Sequence, residues 1–139
     1  MKDREQMRII LADDQPKVRL GLRLLFEQEE WASVVGEAAE AGSLLAQVEV
    51  AQPDLVLLDW SLQASAAVDL LPALRTLCPG LTVIVLSGQP GIEEYALEAG
   101  ADAFVSKADP PEQLLAAICA SAPASLQGSP AQANKESEK

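Results

Sequence analysis

The sequence predicts an α/β domain: a doubly wound (βα)5 three-layer sandwich on a five-stranded parallel sheet. Two patterns carry that expectation. Short β-branched apolar runs alternate five times with longer segments of helical period. The third and fourth runs, Leu55 to Leu58 and Leu81 to Leu86, are almost unbroken in apolar character, as parallel strands are when helices cover both sheet faces.

Each element has its own signal. Arg8 to Ala12 reads as the first strand. Val18, Leu22, Leu25 and Phe26 then recur at helical steps behind Pro16, whose fixed φ suits a first helical turn. The second strand covers Ser33 to Ala38, and a helix from Ser43 to Ala51 stops before Pro53. After the third strand, the spacing predicts a helix over Ala66 to Cys78, with Pro72 marking either its true start or a kink. The fourth strand leads to a short helix, Ile92 to Ala99. A fifth strand, Ala103 to Val105, precedes a last helix from Pro111 to Ala120. From Ser121 onward the composition turns to Ala, Ser, Pro, Gln and charge, too little apolar surface to fold. Residues 1–121 are therefore expected to form the domain and residues 122–139 a disordered tail or the remnant of an interdomain linker.

Bulk properties narrow the function classes. At 139 residues the chain suits one domain, and 49% hydrophobic with 22% charged residues is a globular composition. A net charge of -11 argues against direct nucleic-acid binding, which needs Lys and Arg to replace counterions, and against anionic membrane surfaces. Cys78 and Cys119 lack any zinc or redox spacing and read as packing residues. There is no histidine, hence no imidazole base or ligand. The N-terminus lacks a secretory apolar stretch and no run suits a membrane span, so a cytoplasmic location is expected.

Ligands of such sheets bind outside the carboxyl ends of the strands, where the strand order reverses. The polar residues of interest fall there. Asp13 and Asp14 follow the first strand, Asp59 the third, Ser87 the fourth, and Lys107 the fifth. One such aspartate alone is more often a helix N-cap, and one such lysine is usually solvated. Their convergence is the specific signal. Clustered carboxylates repel, and oxygen-only donors suit Mg2+. An ion beside Asp59 would neutralise a phosphoryl oxygen while the carboxylate attacks phosphorus. Lys107 would supply a second positive charge, and Ser87 a hydrogen bond.

Asp13-Asp14, Val56 to Asp59, Ser87-Gly88 and Phe104 to Lys107 resemble the motifs of response-regulator receiver domains of two-component systems. The resemblance covers about Met7 to Ala120. Val18-Arg19-Leu20-Gly21-Leu22, Val34-Val35-Gly36-Glu37-Ala38 and Glu98-Ala99-Gly100-Ala101-Asp102 are similar to its nitrate-response-like branch, whose members usually carry a helix-turn-helix output domain. The resemblance implies a flavodoxin-like sheet of order 2-1-3-4-5 and a signalling domain with at most self-catalysed phosphorylation and dephosphorylation. It implies Asp59 as phosphoacceptor, with Mg2+ held by Asp13, Asp14, Asp59 and the backbone carbonyl of Ser61. Ser87 and Phe104 match the switch pair, although Phe104 also suits a plain core role, and Lys107 matches the motif lysine. The implied donor is a histidine kinase or phosphotransfer protein. Output would pass to a protein partner or to a DNA-binding domain missing from this chain, and a phosphorylation-dependent homodimer stays open.

The sequence also departs from that family. Gln63 and Ala67 stand where Pro and Gly are usual, and Gln63 is alternatively placed to reach the site and position water. The Ser87 to Lys107 stretch is about two residues short, with Pro90 and Gly91 clipping the helix start. No proline follows Lys107, so no cis-proline can. Two other functions compete. One is a degenerate receiver acting as an unphosphorylated interaction module. The other is a haloacid-dehalogenase-like phosphatase, against which Ser61 replaces a second aspartate and the acidic pair precedes the nucleophile.

Overall fold

The computed structural model describes residues 6–121, so the expected tail over 122–139 lies outside the described residues. Five parallel strands, β1 (Met7–Ala12), β2 (Ala32–Ala38), β3 (Leu55–Asp59), β4 (Thr82–Ser87) and β5 (Ala103–Ser106), form one sheet of order 2-1-3-4-5. The helices are α1 (Pro16–Glu27), α2 (Ala41–Ala51), α3 (Trp60–Ser65), α4 (Leu70–Leu77), α5 (Glu93–Glu98) and α6 (Pro111–Ser121). No helix among the described residues is long and apolar enough to cross a membrane.

The strands' two-residue alternation divides the core. Ile9, Leu11, Leu55, Leu57, Ile84 and Leu86 pack with Phe26 of α1 and with Leu114 and Ile118 of α6. Ile10, Val56, Leu58, Val83 and Val85 pack with Leu44 and Val48 of α2, Leu62 of α3, Leu74 of α4 and Ala96 of α5. Every residue of β3 and β4 is buried, the consequence of helices on both faces. α1 carries no side-chain N-cap bond, and Pro16 opens it where a missing N–H costs nothing. Arg8 Nη1 closes the other end of the second unit, donating to Ala51 O and Gln52 O at the C-terminus of α2.

The region after β3 corrects the expected helix over Ala66 to Cys78. A six-residue helix begins directly after Asp59, the chain is extended at Ala66, and α4 starts only at Leu70. Pro72 falls in the first turn of α4, so it marks a start and no kink. Gln63 explains the break. Its Oε1 accepts a hydrogen bond from Leu70 N at 2.7 Å, and its Nε2 donates to Val68 O. One side chain from α3 thus caps α4 in place of the side chain of Asp69, which makes no cap bond. Gln63→Ala leaves that amide without its cap and lowers stability by about 1 kcal/mol, the usual cost of losing one. An unchanged urea midpoint would rule this role out.

Candidate functional site

Strand register brings the acidic residues together. Ala12 pairs with Leu58 across β1 and β3, so one further step along each strand places Asp13 beside Asp59. Asp13 and Asp59 continue the alternation of Leu11 and Leu57, and Lys107 that of Val105, on the α1/α6 face of the sheet. Sheet order reverses between β1 and β3, the position where doubly wound sheets hold their ligands.

Carboxylate oxygens of Asp13, Asp14 and Asp59 lie within 4.8 Å of one another. Asp13 and Asp59 are 1% and 5% exposed, whereas Asp14 is open to solvent. Lys107 Nζ reaches both buried groups, 2.9 Å from Asp13 Oδ2 and 3.2 Å from Asp59 Oδ1. Asp13 Oδ1 accepts from the Gln15 backbone N–H, while Oδ2 is a buried oxygen held by the ion pair alone, with no aligned hydrogen-bond donor among the described residues. Burial pushes the Asp13 carboxyl above its ordinary range. The Gln15 N–H and Lys107 pull it down, and the charge of Asp59 adds to the rise. Burial works against the Lys107 ammonium, yet Asp13 and Asp59 outweigh it and hold that group above its usual range.

Asp59 stands at the N-cap position of α3 but makes no cap bond. Its second oxygen, Oδ2, accepts instead from the Ser61 hydroxyl. Sequence reasoning expected the Ser61 backbone carbonyl at the site. From the first turn of α3, Ser61 also brings its side-chain hydroxyl to Asp59. A hydroxyl in the turn after a strand-end aspartate was the available signal. Gln63, the alternative water-positioning group, spends its amide on α4 and the loop before it. Gln15, which no motif of the sequence singles out, places Oε1 3.5 Å from Lys107 Nζ.

Ser87 is buried at the end of β4, and its hydroxyl accepts from Gln89 N at 3.0 Å. It pairs in register with Ser106, two residues beyond Phe104. Phe104 is half-buried and packs on the α2/α4/α5 side, opposite Lys107. The helix between β4 and β5 is clipped to six residues, as the short sequence there predicts.

Fold and site together define a doubly wound α/β domain with an acidic pocket closed by one lysine at the switch point of its sheet. The chain belongs to the response regulator receiver domain family, whose model matches residues 9–119. It is 37% identical over 111 residues to the uncharacterised transcriptional regulatory protein YhcZ of Bacillus subtilis, covering 78% of this chain and 52% of that protein. It is 32% identical over 124 residues to the nitrate/nitrite response regulator protein NarP of Escherichia coli, covering 88% of this chain and 58% of that one. The isolated receiver domain of RcsB from Salmonella enterica serovar Typhimurium, solved with the phosphomimetic BeF3-, superposes with a TM-score of 0.72. That match has 29% identity and covers 87% of this chain and 96% of the other. The chain thus spans little more than half the length of these two curated relatives.

Proposed function

We propose that this chain is the phospho-accepting receiver of a response regulator, with Asp59 as acceptor. The observation that carries the reading is the double ion pair of Lys107 with Asp13 and Asp59 across three strand ends. In the transfer, an Asp59 carboxylate oxygen bonds to phosphorus. The N–P bond to a phosphohistidine of a kinase or phosphotransfer protein breaks, and its electron pair returns to the imidazole. The product is an acyl phosphate. Lys107 faces the acceptor as a fixed cation for the incoming phosphoryl oxygens.

The pocket fits a small divalent ion: its donors are oxygens, three carboxylates converge within 4.8 Å, and buried Asp13 Oδ2 has the Lys107 ion pair alone. Holding Mg2+ would fall to Asp13, Asp14, Asp59 and the backbone carbonyl of Ser61, and the ion would neutralise charge on the phosphoryl group. The phosphoryl would add about -1.5 to -2 charges at the end of β3, next to the end of β4 that carries Ser87. Ser87 has a hydroxyl proton to donate, and Phe104 lies on its side of the sheet, which suits a coupled shift of the two. A response to phosphorylation would thereby reach the β4–α5–β5 surface, and from there an output domain or protein partner.

The family match is to receivers, which leaves the haloacid-dehalogenase-like alternative without support. The unphosphorylated module draws on the rearranged segment after Asp59 and the clipped α5. Intact-mass measurement separates the two. With Mg2+ and a small phosphodonor, the protein should gain the mass of one phosphoryl group, and a chelator should prevent it. No gain at any donor concentration would favour the module.

A further inference from the structure

Two motifs of the sequence, Val18 to Leu22 and Val34 to Ala38, take no part in the site as described, yet they meet in one network. Arg19, in the first turn of α1, donates through Nη1 to the backbone carbonyl of Asp13 at 2.6 Å. Its Nε donates to Glu37 Oε1 at 3.1 Å. Glu37 Oε2 is held by Arg23 Nε at 2.8 Å, and the Glu37 carbonyl by Gln47 Nε2 at 2.7 Å. Gly36 leaves room for the Gln47 amide, which a Cβ at that position would displace.

We propose that Arg19, oriented by Glu37, is a positioning residue for the acidic pair. The inference rests on the reading of Asp13, Asp14 and Asp59 as a divalent-cation site. Asp13 is the first residue after β1. Its N–H is fixed from one side by Ala38 O at 3.0 Å, and its carbonyl from the other by Arg19. With the backbone pinned on both sides and Oδ1 tied to Gln15 N, the remaining oxygen, Oδ2, is aimed at the Lys107 ammonium and into the acidic pocket where a cation would meet it. The planar guanidinium serves both partners at once, which a lysine ammonium on a flexible stem does less well. Arg19 and Glu37 are four-fifths and three-quarters buried at their side chains, so solvent does not loosen the pair.

The test is a Mg2+ titration of the phosphodonor-free protein, followed by calorimetry and by the fluorescence of Trp60, which adjoins Asp59. Urea midpoints are measured alongside. Arg19→Ala should bind Mg2+ about 10-fold more weakly, the low end of what loss of an outer-sphere partner costs. Arg19→Lys should recover part of that affinity, and Glu37→Gln should show a smaller loss in the same direction. A folded Arg19→Ala protein with a lowered urea midpoint but wild-type Mg2+ affinity would overturn the proposal, leaving Arg19 a structural residue. If Arg19→Ala does not fold, Glu37→Gln decides: unchanged affinity rejects the proposal, weakened affinity supports it. Absence of Mg2+ binding by the wild type would remove the metal-site reading and the proposal together. Wild-type binding that is sensitive to Asp13→Asn but not to Arg19→Ala would remove the proposal alone.

Discussion

Asp59→Asn is expected to abolish phosphoryl uptake completely while leaving the fold intact. The substitution keeps the side chain's size but exchanges a nucleophilic carboxylate for an amide whose lone pair is delocalised. The surrounding charge balance tolerates it. Lys107 retains Asp13, its nearer partner at 2.9 Å, and one of three mutually repelling carboxylates is gone. The neighbouring Ser61 hydroxyl makes the chemistry of the adduct worth checking. An acyl phosphate on wild-type Asp59 is cleaved by hydroxylamine, whereas a serine phosphate is not. Equal uptake by wild type and variant, or a wild-type adduct that resists hydroxylamine, would displace Asp59 as acceptor.

Asp13→Asn is expected to move two properties in opposite directions. Metal affinity should fall by more than the roughly 10- to 100-fold that losing an outer-sphere partner costs, because under the proposed function Asp13 is a direct ligand. Folding stability in chelator should rise. Burial holds the Asp13 carboxyl above its ordinary 3.8, so at neutral pH the folded state keeps a charge it disfavours relative to the unfolded chain. That penalty is present above the raised folded value and is relieved as pH falls from there toward 3.8. The stability advantage of the variant should therefore shrink in acid. Lys107 carries the opposite sign. Its stabilising contribution is complete below its ordinary 10.5 and is lost as pH rises through its raised value. Urea denaturation of both proteins across pH, in chelator, reads the difference directly. A variant less stable than wild type at neutral pH would show that the Lys107–Asp13 pair outweighs the burial of Asp13.

Much of this was legible in the amino-acid order. The strands, their parallel arrangement and the rim carrying Asp13, Asp14, Asp59, Ser87 and Lys107 follow from apolar alternation and from where each run ends. The Trp60 to Ser65 helix was not legible. It carries one buried apolar residue, Leu62, and so has no period to detect over six residues. The roles of Gln63 and Ser61 were hidden for a related reason: each is set by where α3 places the side chain, Gln63 against the start of α4 and Ser61 against the Asp59 carboxylate.

The sequence by itself determined the layered βα architecture and the membership of the rim, because strand and helix periods are local properties of ten or so consecutive residues. Tertiary structure alone decided how the rim is wired. Lys107 spans two aspartates far apart in sequence, Ser61 brings its hydroxyl to Asp59, and Arg19 links the end of β1 to Glu37 of β2. Those contacts depend on register between strands and on helix placement over them, and both are settled only when the whole core packs.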